Sequence, residues 1–186
     1  DELFAGYPRY YIPRLLAYMG WMPAPVRRGL LSVLAPVRDH RVQKLRMYAS
    51  QDETELLVRN PTATDPALVA ALCGDEASTS FRRACVEAGR AQGLGGVDNL
   101  MQLDLQTYLV SILNRQDKMS MAASVEARVP FLDNEVVDFA LGLPLGYKQT
   151  ARQRKRVLMS VARRYLPDAV VDRRKSGFGV PLDAWM

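Results

Sequence analysis

Apolar residues recur along this chain mainly at helical spacing. Met101, Leu105, Tyr108, Leu109 and Ile112 form one stripe, at the three- and four-residue intervals that place side chains on one helix face. Phe81, Ala84, Cys85 and Ala88 form a shorter stripe, which predicts a helix over 81–91. The turn Gly93-Leu-Gly-Gly96 ends it, because glycine accepts the left-handed backbone of a helix C-terminus. Val26, Leu30, Val33, Leu34 and Val37 share another face, with Pro23 and Pro25 at its start and Pro36 closing it. Val42, Leu45, Tyr48 and Ala49 continue the period, and Leu56, Leu57 and Val58 follow after a polar break. Val136, Val137, Ala140 and Leu141 mark a helix that Asp133 or Asn134 can cap. Val157, Leu158, Val161, Tyr165 and Leu166 mark the last one, ended by Pro167.

Only Val125-Glu-Ala-Arg-Val-Pro-Phe131 alternates with period two. Alternation would put Val125, Ala127, Val129 and Phe131 on one side and Glu126 and Arg128 on the other. Pro130 argues against a central strand, so the segment reads as an extended loop with an apolar anchor side. The stretch Asn60 to Asp65 reads as a loop inside one domain. No repeat or low-complexity tract interrupts the pattern, and 186 residues are enough for one domain with a core.

With 48% hydrophobic and 24% charged residues, the composition is that of an ordinary globular protein. No apolar run approaches the roughly 20 residues that span a bilayer, and no signal peptide is visible. Two cysteines, Cys73 and Cys85, are too few for a disulfide framework and lack metal-ligand spacing; Cys85 reads as a buried structural thiol. His40, alone between Asp39 and Arg41, reads as a surface residue. The net charge of +5 gathers at Arg27-Arg28, Arg152 to Arg156, Arg163-Arg164 and Arg173 to Lys175. Aromatics do not interleave with these clusters, which argues against nucleic acid. Solvated helix faces and phosphate handling remain as readings.

The densest chemistry lies in Asn114-Arg-Gln-Asp-Lys-Met-Ser-Met-Ala-Ala-Ser-Val-Glu-Ala-Arg-Val-Pro-Phe-Leu-Asp133. It sets Arg115, Asp117, Lys118, Glu126, Arg128 and Asp133 among small and apolar residues. Buried charge is costly unless paired, so such a run suggests the wall of a site. Two further segments stand out, Asp1-Glu-Leu-Phe-Ala-Gly-Tyr-Pro-Arg-Tyr10 and Arg173-Arg-Lys-Ser-Gly-Phe-Gly-Val-Pro-Leu-Asp183. Together, in this order, the three resemble the synthetase domain of glutamine-dependent asparagine synthases. Leu94-Gly-Gly-Val-Asp-Asn99 is superficially like the family's Ser-Gly-Gly-x-Asp-Ser phosphate loop. However, Leu94 and Asn99 replace its hydroxyl residues, and no strand precedes it, so it reads as a helix-to-helix turn.

The resemblance implies a mostly α segment, the C-terminal helical portion of an α/β PP-loop ATP pyrophosphatase domain. On that expectation 1–186 is part of one synthetase domain, cut at both ends, with the glutaminase domain and the phosphate loop elsewhere. It implies ATP-dependent amidation of aspartate to asparagine through β-aspartyl-AMP, with ammonia from glutamine, ATP and Mg²⁺, in the cytoplasm, and inactivity of the segment alone. Asp1 matches the family's Mg²⁺-holding acid, and Glu2 is its neighbour. Lys155 matches the family's phosphate-contacting lysine, opening a helix and free to reach outward. Arg154 and Arg156 read as screened surface charges beside it.

Glu126 and Arg128 match the family's Glu-x-Arg and are expected to form a partly buried pair, as pocket lining or as scaffold. Asp117 and Lys118 carry the same ambiguity. Asp133 reads as a helix cap, and Phe178 with Pro181 as the edge of a lid or hinge. Two alternatives remain: a related acyl-adenylating amidotransferase or cyclase, forming a β-lactam or peptide bond, and a non-catalytic basic helical module. A homodimer is also left open.

Overall fold

The structure is a computed structural model that describes residues 1–19, 53–59 and 77–173, with a few positions among 21–29 and at 71–72. Of the predicted helix over 26–37 only Val26 and Gly29 are described, both helical; the helix over 42–49, the loop 60–65, His40, Cys73 and the Phe178–Pro181 loop lie outside the described residues.

Helices build everything regular among those residues. A 3₁₀ turn, Pro8–Tyr10, leads into α1, Tyr11–Tyr18. Then come α2, Glu53–Arg59, α3, Ala77–Ala91, α4, Gly96–Gln106, and α5, Tyr108–Ala122. A second 3₁₀ turn, Pro130–Leu132, precedes α6, Asn134–Gly142. The short α7, Leu145–Lys148, is followed by α8, Arg156–Ala162, and α9, Asp168–Val171. The described residues contain no strand, and none of their helices is long and apolar enough to cross a membrane.

The long stripe 101–112 is not one helix. The backbone leaves helical geometry at Thr107, with φ −123° and ψ −69°. The Thr107 hydroxyl donates to the Leu103 carbonyl at 2.7 Å, the local competition that a threonine offers a helix. Tyr108, the next residue, packs its ring edge-on to Tyr7, 5.8 Å away. The aromatic contact and the hydroxyl bond together account for a break that periodicity alone does not reveal. At the other end, α8 stops at Ala162, and residues 163–166 turn before Pro167.

Other expectations hold. Gly93 takes φ +80° in the turn between α3 and α4, so Leu94 to Asn99 completes a helix-to-helix turn and opens α4 at Gly96. Asn99 is fully buried and donates to the Val86 carbonyl at 2.8 Å, fastening α4 to α3. Asp133 caps α6, accepting from the Glu135 amide at 3.0 Å.

Two apolar clusters form the interior. Ala5, Tyr10, Leu57, Val58, Val86, Val97, Leu100, Met101 and Leu103 make the first. Leu3, Phe4 and Ala140 make the second, joined by Leu105, Leu132, Val136, Val137, Leu143, Val157 and Leu158. The Asp1–Tyr10 segment supplies both. It is a seam between the clusters, and that placement fixes its carboxylates. Cys85 packs against the first cluster but is only half-buried, a correction to the fully buried thiol, because α3 lies at the margin of that cluster.

Candidate active site

The segment turns back on itself at its start. The Gly6 amide donates to the Asp1 carbonyl at 2.8 Å, and Ala5 takes φ 51° to close the turn. Burial of Leu3, Phe4 and Ala5 holds this turn rigidly. Glycine at position 6 leaves room for this pair, because a Cβ there would displace the Asp1 carboxylate and the Lys155 side chain.

Lys155 approaches from the loop before α8. It stands just before the first helical residue with φ 52°, a left-handed backbone uncommon outside glycine. Its ammonium forms an ion pair with Asp1 Oδ1. The structure thus brings together the two residues that the sequence nominates for catalysis. It also corrects the orientation, since Lys155 turns inward rather than reaching out. Both side chains are mostly shielded, with 33% and 20% of their surface exposed. Burial pulls the Lys155 ammonium below the ordinary lysine value, Arg154 adds to this, and Glu2 opposes it. Lysine at this site is therefore easier to deprotonate than in water.

Arg154 is not a screened surface charge. Its guanidinium donates to the Gly6 carbonyl at 3.0 Å and is half-buried. It ties the loop that carries Lys155 to the turn that carries Asp1. Glu2, itself buried, accepts a hydrogen bond from the Tyr7 hydroxyl at 2.8 Å.

The other nominated residues lie elsewhere. Asp117 and Lys118 are exposed on α5. Glu126 and Arg128 do pair, at 2.6 Å, but with 66% and 82% of their side chains exposed. The expected partial burial is corrected. The loop 125–129 is exposed throughout, apolar residues included, and its anchor comes just afterwards. There Phe131 meets Phe4 edge-on at 6.3 Å, and Leu132 joins the second cluster.

A polar centre that the sequence reading passed over sits behind the seam. Asp104 is fully buried. Its Oδ2 accepts from Arg9 Nε at 3.1 Å, Arg9 Nη2 at 2.8 Å and the Tyr10 hydroxyl at 2.7 Å. Burial pushes the Asp104 carboxyl up, while Arg9 and these hydrogen bonds pull it back. The signal was present. Asp104 shares the helix face of Leu100 and Met101, both buried, where a carboxylate requires a partner.

Among the described residues, no three His, Cys, Asp or Glu side chains gather as a metal cage. One or two carboxylates with waters and substrate phosphates is the usual manner of holding Mg²⁺. Asp1, with its carboxylate already drawn to a cation, fits that manner.

The asparagine synthase family profile matches residues 1–186. The chain is 34% identical over 196 residues to a Mycobacterium tuberculosis protein whose name reads "putative asparagine synthetase (glutamine-hydrolyzing)". That match covers 100% of this chain and 29% of the relative. It is 28% identical over 205 residues to asparagine synthetase (glutamine-hydrolyzing) 1 of Bacillus subtilis, covering 100% of this chain and 30% of the relative. The chain therefore spans under a third of these relatives. No solved structure matches it. By the profile match over its whole length, the chain belongs to the asparagine synthase family.

Proposed function

We propose that this chain supplies the carboxylate–lysine edge of a site that makes asparagine from aspartate and ATP. In this reading the aspartate side-chain carboxylate attacks the α-phosphorus of ATP. The bond to pyrophosphate breaks, and β-aspartyl-AMP forms. Ammonia, released from glutamine by a glutaminase domain outside these residues, attacks the acyl carbon. AMP leaves, and a proton is lost from nitrogen. The reading places this chemistry in the cytoplasm, which supplies the ATP. The parallel-sheet part of a PP-loop fold, with its phosphate loop, belongs to the regions that residues 1–186 do not cover.

The observation that carries the reading is the meeting of Asp1 with Lys155, two motif residues from opposite parts of the sequence, in a shielded corner. Lys155 gives the departing pyrophosphate a compact positive charge. Donors placed where charge develops contribute more than donors in water. Asp1 would hold Mg²⁺, which would neutralise the polyphosphate. Gly6 and Arg154 keep the two groups in register. Glu126, Arg128 and Asp117, on exposed surfaces, are assigned to contacts with the rest of the protein and not to the reacting atoms.

The test is product analysis with the complete enzyme carrying this segment. AMP and pyrophosphate should form only when aspartate is present, and asparagine only when glutamine or ammonia is added. AMP formation with another carboxylic acid, and none with aspartate, would move the chain to a different member chemistry of the family.

A further inference from the structure

The polar centre at Asp104 does not stop at the core. Its chain of contacts runs outward to the catalytic corner. Arg9, held by two hydrogen bonds to Asp104, lies against two aromatic rings. Its guanidinium carbon is 4.3 Å from the centre of the Tyr7 ring and 4.7 Å from that of Tyr108, in the corner that the two rings make by standing at 78° to each other. Cation–ring contacts and hydrogen bonds together fix the planar guanidinium there. Tyr7 is held in turn. Arg9 covers one face, and the Tyr10 and Tyr108 rings stand edge-on at 5.8 Å each. The one polar group Tyr7 carries then donates to Glu2 Oε1 at 2.8 Å. Burial, and after it the bond to Glu2, pushes the Tyr7 phenol above its ordinary value, so it remains a donor. Glu2 is adjacent to Asp1, the partner of Lys155.

We infer that Asp104, Arg9 and Tyr7 are positioning residues for the adenylation site, acting in series to hold the Glu2 carboxylate beside the Asp1–Lys155 pair. This rests on the function proposed above. None of the three is a catalytic residue. Asp104 is buried in the core, and Arg9 packs on Tyr7, whose hydroxyl reaches Glu2. The series ends on Glu2, which is next in the chain to Asp1 and acts electrostatically on Lys155. An isolated buried pair is also weak evidence of stability, since desolvation offsets much of its attraction.

Parts acting in series are tested by a double-mutant cycle. The complete enzyme is compared with Tyr7→Phe, Arg9→Lys and the double variant in aspartate-dependent ATP–pyrophosphate exchange, each with its melting temperature. Tyr7→Phe removes only the hydroxyl that reaches Glu2, and it should lower kcat about tenfold, the size of one hydrogen bond to a charged group. Arg9→Lys keeps the charge and loses the flat stack, and it should lower kcat similarly. The KM for ATP should move less than twofold in both. The double variant should be no slower than the worse single variant.

Multiplying losses, or losses that track melting temperature alone, would overturn the inference. If Arg9→Lys does not fold, Tyr108→Leu, which removes one of the two rings beside Arg9, replaces it in the cycle. Lys155→Ala is the control for the underlying reading. Lost exchange with Lys155→Ala beside full exchange in the cycle variants would refute the positioning alone. Full exchange with Lys155→Ala would refute the proposed function.

Discussion

The hydroxyl of Tyr10 donates to Asp104 from a fully buried ring, beside Arg9 and within the field of Glu2. Burial first, and then Asp104, pushes this phenol far above the ordinary tyrosine value of 10.0. The unfolded chain therefore loses the proton at a pH where the folded chain keeps it. Stability from this group is complete below the ordinary value and falls as pH rises above it. Melts between about pH 8 and 11 should drop steeply on the alkaline side, and Tyr10→Phe should start lower but fall less steeply. An equal slope in the variant would contradict this. Arg128→Ala should cost under about 1 kcal/mol in a denaturant titration, because its pair with Glu126 is exposed. A loss of about 3–5 kcal/mol would indicate a buried pair instead. Gly6→Ala should be the opposite kind of change. Its Cβ would push apart Asp1 and Lys155, so ATP–pyrophosphate exchange should fall at least tenfold while the melting temperature moves little.

At the scale of elements, the contact between α3 and α4 is the most tightly specified. Asn99 reaches across to the Val86 carbonyl, and Gly89 leaves room for it. Asn99→Ala removes this second hydrogen bond to a carbonyl inside α3 and should cost about 0.5–1.5 kcal/mol, read from denaturant unfolding. A cost below a few tenths would mean that α3 is not fastened there. Helix positions were legible in the sequence wherever apolar spacing and a terminating signal agreed. The Gly93 turn and the Asp133 cap are such places, whereas the last stripe ends at Ala162, short of Pro167, which instead precedes α9. The break at Thr107 was not legible, because it depends on Tyr108 meeting Tyr7 from another part of the chain. The same holds for α9, a single turn too short to show a period. For the site, motif resemblance chose Asp1 and Lys155, but it could not give their mutual approach, which is set by two apolar clusters meeting at residues 3–5. Arg154 looked like one base in a basic run, and only its bond to Gly6 distinguishes it.

At the scale of the whole molecule, residues 1–10 join two apolar clusters and carry Asp1, one half of the proposed catalytic corner, while the loop before α8 carries Lys155, the other half. A polypeptide of residues 1–186 alone should form no AMP from ATP and aspartate, because it contains no Ser-Gly-Gly-x-Asp-Ser loop to place the phosphates. Detectable aspartate-dependent AMP from it would restore Leu94 to Asn99 as a phosphate loop. The most direct measurement is aspartate-dependent ATP–pyrophosphate exchange by the complete enzyme with single alanine substitutions across the basic cluster. Lys155→Ala should lower the exchange rate a hundredfold or more, as expected for a donor of about 3–4 kcal/mol at the developing charge. Arg154→Ala should lose an intermediate amount, through the Gly6 carbonyl it holds. Arg152→Ala and Arg156→Ala, both exposed, should lose almost nothing. Similar small losses in all four would show a diffuse basic surface, and would contradict a catalytic corner built on Asp1 and Lys155.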